Sequence, residues 1–190
     1  MSFLGETELK QIGFRYLGNN VKLSDKTSIY NPSSITIHDN ARIDDFCILS
    51  AGHGGIEIGR YVHIACYCSL IGSALIRLGD FVGISGRTSI YSSNDDYSGQ
   101  YLTNPNIPDQ FKNVTNDEVV LEKHALVGVG SIILPGVHMG QGAVVGAHSL
   151  VKKDCESFMI YVGNPAKPIK ERSRKLLELE KQFTEHPGRH

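Results

Sequence analysis

Residues 121–156 read LEKHAL, VGVGSI, ILPGVH, MGQGAV, VGAHSL, VKKDCE, six consecutive hexads. The first place of each is aliphatic: Leu121, Val127, Ile133, Met139, Val145 and Val151. The fifth is small or slim in most, as Ala125, Ser131, Val137, Ala143 and Ser149. Gly takes the second place at Gly128, Gly140 and Gly146. A period of six is neither the 3.6 of a helix nor the alternation of a half-buried strand. It fits a short extended segment followed by a corner, with the aliphatic residue pointing to the axis and the small residue allowing a tight turn. Glycine serves where the backbone needs positive φ or close approach. Three such segments make one triangular coil of about eighteen residues, and stacked coils bury their apolar faces against one another.

The same phase runs upstream. Leu23 and Ile29 are six apart, as are Ile37, Ile43 and Leu49. Ile58, Ile64 and Leu70 repeat the spacing, and Leu78, Ile84 and Ile90 follow after a two-residue slip. Two stretches break it. One is a turn-like insertion, Ser50-Ala51-Gly52-His53-Gly54-Gly55. The other runs over residues 92–117, rich in Asn, Asp, Ser, Pro and Gly. Long loops in compact domains are commonly functional, and Tyr97, Tyr101 and Phe111 predict an ordered excursion packed on a surface. Glu6–Phe14 reads as a short helical lead-in. Residues 168–183 read as an amphipathic helix whose apolar side is Leu176, Leu177, Leu179 and Phe183, and the tail to His190 reads as frayed.

The chain has 190 residues, 41% hydrophobic and 21% charged, with 19 basic against 20 acidic side chains. This suits one globular domain and argues against a nucleic-acid surface or a membrane-binding patch. No apolar run reaches the ~18 residues of a membrane span, and the start lacks the pattern of a signal peptide. A cytoplasmic location is expected. Cys47, Cys66, Cys68 and Cys155 form no CxxC pair and read as reduced core residues.

The hexads Ile58-Gly59-Arg60-Tyr61-Val62-His63 and Val145-Gly146-Ala147-His148-Ser149-Leu150, with the tail Val162-Gly163-Asn164-Pro165-Ala166-Lys167, resemble the hexapeptide-repeat acyltransferase superfamily over roughly residues 20–170. The resemblance implies an all-β fold, a left-handed parallel β-helix with a loop excursion and a C-terminal α-helix. That handedness departs from the usual crossover rule. The corresponding division is a lead-in at 1–20, a β-helix at 21–167 with the excursion at 92–117, and a helix and tail at 168–190. The resemblance also implies a homotrimer with an acyl-CoA, acetyl-CoA or another, in a groove between subunits. A flat prism face has no deep pocket of its own, and two adjacent prisms make one.

CoA calls for exposed backbone along small residues and for cations at its phosphates. Gly128, Gly130, Ser131, Gly146 and Ala147 supply the first; Lys152, Lys153, Lys167, Lys170 and Arg172 supply the second. Superfamily members that acylate sugar hydroxyls carry a histidine base in the excursion. This excursion has none and offers Asn94, Asp95, Asp96 and Tyr97. A neutral sugar amine is itself nucleophilic and needs only positioning and a modest proton acceptor. Ser85 with Ser92-Ser93-Asn94-Asp95-Asp96 resembles N-acyltransferases of 4-amino-4,6-dideoxy sugars linked to dTDP or GDP, enzymes of surface polysaccharide synthesis. Asp95, with Ser85 beneath it, is then expected to orient the amine and take its proton, with Asn94, Asp96 and Tyr97 binding substrate. Asp95-Asp96 also reads as a turn-forming pair and Ser85 as a corner residue. Glu118 is a second carboxylate candidate; His63 and His124 are alternative bases. The eight histidines show no metal-site spacing, and no metal is expected. The rival readings are O-acylation of a sugar hydroxyl and a non-catalytic scaffold.

Overall fold

Each hexad lays one short strand on a face and one turn at a corner. The computed structural model, which describes residues 2–185, stacks these strands into three parallel sheets wound as a left-handed β-helix. The first face runs from Tyr16–Leu17 to His138–Met139, the second from Lys22–Leu23 to Met159–Val162, and the third from Ser28–Tyr30 to Leu150–Val151. Pairing is in register, so first-place residues stack. Ile37, Ile58, Leu78, Leu121 and Met139 form one ladder. Leu23, Ile43, Ile64, Ile84, Val127 and Val145 form another. Leu49, Leu70, Ile90, Ile133 and Val151 form the third. All are buried, and each is covered by the coils above and below, which makes the solenoid cooperative.

The corners divide the work among three places of the hexad. Fifth-place Ala125, Ser131, Val137, Ala143 and Ser149 are all buried. Fourth-place residues carry the left-handed backbone, with φ of 62° at His124, 68° at Gly130, 80° at Gly136, 68° at Gly142 and 54° at His148. The second-place glycines serve close approach only. A β-carbon on Gly128 would lie 2.5 Å from the backbone nitrogen of Ala147 on the next coil.

The coil length of eighteen holds only after the excursion, where Leu121 pairs with Met139. Before it, Leu17 pairs with Ile37, Ile37 with Ile58 and Ile58 with Leu78, steps of 20 or 21 residues. The added residues sit at the third-to-first corner. Gly52–Gly55 is therefore no isolated insertion: it stacks on the next coil, Gly52 N–H donating to Gly72 at 2.9 Å and Gly54 N–H to Ser73 at 2.7 Å. The excursion extends this same corner, leaving at Ser92 and rejoining at Val119, whose N–H donates to Leu75.

The helical expectations need correction at both ends. The first helix, α1, is Glu6–Gln11. At the other end Lys167–Glu171 is a strand antiparallel to Met159–Val162, and only Lys175–Glu185 is helical, as α2. Leu179 is exposed. Its expected place is taken by Glu180, which bonds Lys123 and His124, while Phe183 lies edge-on to Tyr61 and Phe81. The tail from 186 lies outside the described residues. Cys47, Cys68 and Cys155 are buried, Cys66 is half-buried, and all four are free thiols. No helix among the described residues is long and apolar enough to cross a membrane.

Burial alone would raise the Glu180 carboxyl, but hydrogen bonds and charge from Lys123 and His124 outweigh it and hold it below its ordinary 4.5. A carboxyl depressed by folding stabilises the fold above its unfolded value and loses that contribution as pH falls through its folded value. Glu180→Gln is expected to lower the melting temperature near pH 7 by roughly 2–4 °C per kcal/mol lost. The gap closes as pH falls through the low fours and below; a gap undiminished in acid would show that the pair does not carry the contact.

Candidate active site

Ser85 is a second-place residue at the corner between the second and third faces. Its N–H donates to Val127 at 2.9 Å, Gly128 N–H to Val145 at 2.7 Å and Gly146 N–H to Tyr161 at 2.8 Å. Ser85, Gly128 and Gly146 thus form one column on consecutive coils, spanning about 10 Å at the usual strand spacing. Ala147 is exposed beside it. The column is bare of bulky side chains and ends under the exit segment, where Gly163 accepts from Leu150 N–H at 3.0 Å. Beyond lies a depression of about 450 Å³ lined by Lys152, Lys153, Lys167, Cys155 and Tyr161. Burial pushes the Cys155 thiol there up to about 11, so it is no nucleophile.

Two expected CoA residues are placed otherwise. Ser131 is wholly buried, its hydroxyl donating to Gly146 O at 3.0 Å and accepting from Ser149 N–H at 3.2 Å; a fifth-place side chain turns inward. Arg172 leaves the lysine group. Its Nη1 donates to the carbonyls of His124 at 2.8 Å and Gly142 at 3.1 Å, and burial holds its pKa below the usual value. It caps the opposite corner under α2.

His63 stands on the second face, with Nε2 2.9 Å from Asp44 Oδ2. It lines a shallow depression with Ala65, Gly83, Ser85, Gly86 and Leu126. Asp44 is buried and also accepts from Arg42 Nε at 2.7 Å. Burial by itself would raise its carboxyl, but the His63 and Arg42 hydrogen bonds overcome that and keep it below the usual range. Asp44 escaped the sequence reading. Its signal is a charge at the second place of a hexad, where Ser or Gly stands at 24, 85, 128 and 146. His124 is stacked on Phe81 at 5.0 Å and bonded to Glu180 at 2.7 Å, which places it in the packing of α2 and away from Ser85.

The excursion is ordered by its own hydrogen bonds. Ser93–Asn94 pairs with Thr115–Asn116, Ser93 Oγ donates to Asn116 Oδ1 at 2.7 Å and Tyr97 Oη to Asn94 Oδ1 at 3.0 Å. Its aromatic side chains do not pack on the prism as expected: Tyr97 is 85%, Tyr101 45% and Phe111 50% exposed. Asp95 is exposed and lines a hollow of about 390 Å³ with Tyr91, Ser93, Asn94, Tyr97, Ile132 and Leu134. Asp96 turns aside, accepting from Ser98 Oγ at 2.6 Å. Glu118 is exposed where the chain rejoins the first face.

Ser85 is not beneath Asp95 within one chain. It marks the second-to-third corner, the excursion leaves from the third-to-first corner, and the third face lies between them. The two line separate depressions. Among the described residues no group of three or more His, Cys, Asp or Glu is placed to hold a metal.

No family model matches the chain. It is 52% identical over 183 residues to a dTDP-4-amino-4,6-dideoxy-D-glucose acyltransferase of Escherichia coli, covering 96% of this chain and 95% of that one. Its fold superposes with a TM-score of 0.93 on a serine-to-alanine variant of AntD, an N-acyltransferase from Bacillus cereus in complex with dTDP-4-amino-4,6-dideoxyglucose and coenzyme A. The two are 49% identical, over 97% of this chain and 98% of that chain. A hexapeptide-repeat acetyltransferase of Vibrio cholerae, at 21% identity and TM-score 0.64 over 90% of this chain and 79% of its own, shares the fold. With 52% identity sustained over nearly its whole length, the chain belongs to the family of dTDP-4-amino-4,6-dideoxyglucose acyltransferases.

Proposed function

We propose that the protein transfers the acyl group of an acyl-CoA to the 4-amino group of a dTDP-linked 4-amino-4,6-dideoxy sugar, in the cytoplasm, for surface polysaccharide synthesis. The observation that carries this reading is the bare column from Ser85 through Gly128 and Gly146 to the lysine depression. The pantetheine arm lies along the column, hydrogen-bonded to the backbone. The CoA phosphates meet Lys152, Lys153 and Lys167, and the thioester reaches Ser85.

The amine nitrogen attacks the thioester carbonyl, the new C–N bond forms and the C–S bond breaks. The proton lost by nitrogen passes to Asp95 and then to the departing thiolate, giving amide and free CoA thiol. The column's own N–H groups already donate to the next coil, so the Ser85 side-chain hydroxyl is the donor to the oxyanion. Because Asp95 and Ser85 lie on different corners, the site is completed between two copies in a homotrimer. The exposed aromatics of the excursion and the exposed Leu126, Val129 and Ile132 supply apolar surface for that contact. In AntD the serine and the aspartate replaced in separate variants are ten positions apart, as are Ser85 and Asp95.

O-acylation keeps one observation in its favour. His63, backed by Asp44, lines the same depression as Ser85 and suits a base for a hydroxyl. Mass spectrometry of the product from acetyl-CoA and dTDP-4-amino-4,6-dideoxyglucose tests the proposal. An acetamido sugar is expected; an ester, or unchanged amine, would refute it.

A further inference from the structure

At the corner between the second and third faces, the fifth places of successive hexads hold Thr27, Cys47, Cys68, Thr88, Ser131 and Ser149, each a hydroxyl or a thiol. At the corner between the first and second faces the same place holds Val21, Ala41, Val62, Val82, Ala125 and Ala143, all apolar and all buried. The turn asks only for a small inward side chain, so packing does not account for the difference. Hydrogen bonding does. Thr27 Oγ1 donates to the Asp44 carbonyl at 3.3 Å, Cys47 Sγ to Ala65 at 3.1 Å, Cys68 Sγ to Ser85 at 3.2 Å, Thr88 Oγ1 to Gly128 at 3.3 Å and Ser131 Oγ to Gly146 at 3.0 Å. Every acceptor is the second-place carbonyl of the adjoining coil.

The column that runs through Ser85 is therefore braced from inside, one donor per coil. At the first-to-second corner the turn supplies its own donor: Ala125 N–H reaches the Glu122 carbonyl and Ala143 N–H the Gly140 carbonyl, each at 3.0 Å. The brace of Ser85 is the buried thiol of Cys68. A peptide is planar, so drawing the Ser85 carbonyl inward fixes the plane it shares with Gly86 and turns the Gly86 N–H outward. It also fixes the direction in which the Ser85 side chain leaves the coil. Among the described residues the Ser85 hydroxyl has no hydrogen bond of its own, so that direction is what aims it.

We infer that Cys68 is a positioning residue for acyl transfer: its thiol holds the Ser85 carbonyl inward and so aims the Ser85 hydroxyl at the thioester oxygen. The inference rests on the acyl-transfer reading above, in which the thioester reaches Ser85. Cys47 makes the same bond one coil away, to Ala65, which has no hydroxyl to aim, and is the matched control. Loss of either thiol leaves a buried carbonyl without its donor. Only loss of Cys68 lets a reacting group shift, and rates respond steeply to small displacements of such groups.

The test is steady-state kinetics of the full-length protein with acetyl-CoA and dTDP-4-amino-4,6-dideoxyglucose, with thermal melting alongside, for wild type, Ser85→Ala, Cys68→Ala, Cys68→Val, Cys68→Ser and Cys47→Ala. Ala and Val both occupy fifth places at the other corner, so either variant carries the test if the other does not fold. In Cys68→Ala and Cys68→Val kcat is expected to fall about tenfold with both KM values within about twofold of wild type. Cys68→Ser restores a donor and is expected to bring kcat back to within about threefold of wild type. Cys47→Ala is expected to melt lower, as Cys68→Ala does, and to keep the wild-type kcat. Undiminished kcat in Cys68→Ala and Cys68→Val, an equal loss in Cys47→Ala, or no recovery in Cys68→Ser would overturn the inference and leave the acyl-transfer reading standing. Wild-type kcat in Ser85→Ala would remove the role of Ser85 and the inference with it. If wild type acylates no dTDP-linked amine, both readings fall.

Discussion

Asp95→Asn lowers the acyl-transfer rate by about a hundredfold or more and leaves CoA affinity at its wild-type value. The side chain is exposed on the excursion and lines the hollow with Tyr91 and Leu134. The hollow shares no lining residue with the lysine depression proposed for the CoA phosphates, so a change in CoA binding is not expected. The amide keeps the shape and one acceptor oxygen but cannot take up the proton that the amine must lose. A carboxylate that merely shaped the turn would be replaced by Asn with little effect, since both residues make the same local hydrogen bonds. Single-turnover rates of the two proteins at saturating CoA decide between these, and near-normal turnover removes Asp95 from the proton path.

The second large effect falls on the column itself. Gly128→Val is expected to cost about 3 kcal/mol or more, which lowers the melting temperature by roughly 6–12 °C, and to abolish CoA binding in what remains folded. A β-carbon at Gly128 would sit 2.5 Å from the Ala147 nitrogen and 2.7 Å from the Gly146 carbonyl carbon, backbone atoms of the adjoining coil that cannot step aside. Gly146→Val is milder, because the β-carbon there first meets the Val162 side chain, at 2.6 Å, and a methyl group can rotate away. Thermal melting and CoA titration of both variants check the order. Equal stability of the two would show that the coils are not held at the close approach this column requires.

The hexads at 121–156 made the prism readable because every first-place residue is aliphatic and faces a packed axis. Handedness came only from the family resemblance, since a period of six is indifferent to the sense of winding. The longer early coils escaped notice because their added residues sit at stacked wide corners such as Gly52–Gly55, where no side-chain period is kept. Residues 168–171 were read into the amphipathic helix, yet pairing of Lys167–Glu171 with Met159–Val162 made them strand. In the candidate site, the glycine column and the lysine trio were legible as bare and cationic positions on consecutive coils. Ser131 was misplaced because a fifth-place side chain turns inward at every corner, and Arg172 because the carbonyls it caps, those of His124 and Gly142, come together only in the stacked coils. The separation of Ser85 from Asp95 follows from the same corner geometry, which spacing along the chain does not reveal.

The most direct test of N-acyl transfer is free-thiol release from acetyl-CoA with dTDP-4-amino-4,6-dideoxyglucose and, in parallel, with the analogue bearing a hydroxyl at the same carbon. Release with the amino sugar alone is the predicted result. Release with the hydroxyl sugar at a comparable rate would contradict it and put His63 and Asp44, in place of Asp95, at the centre of the chemistry.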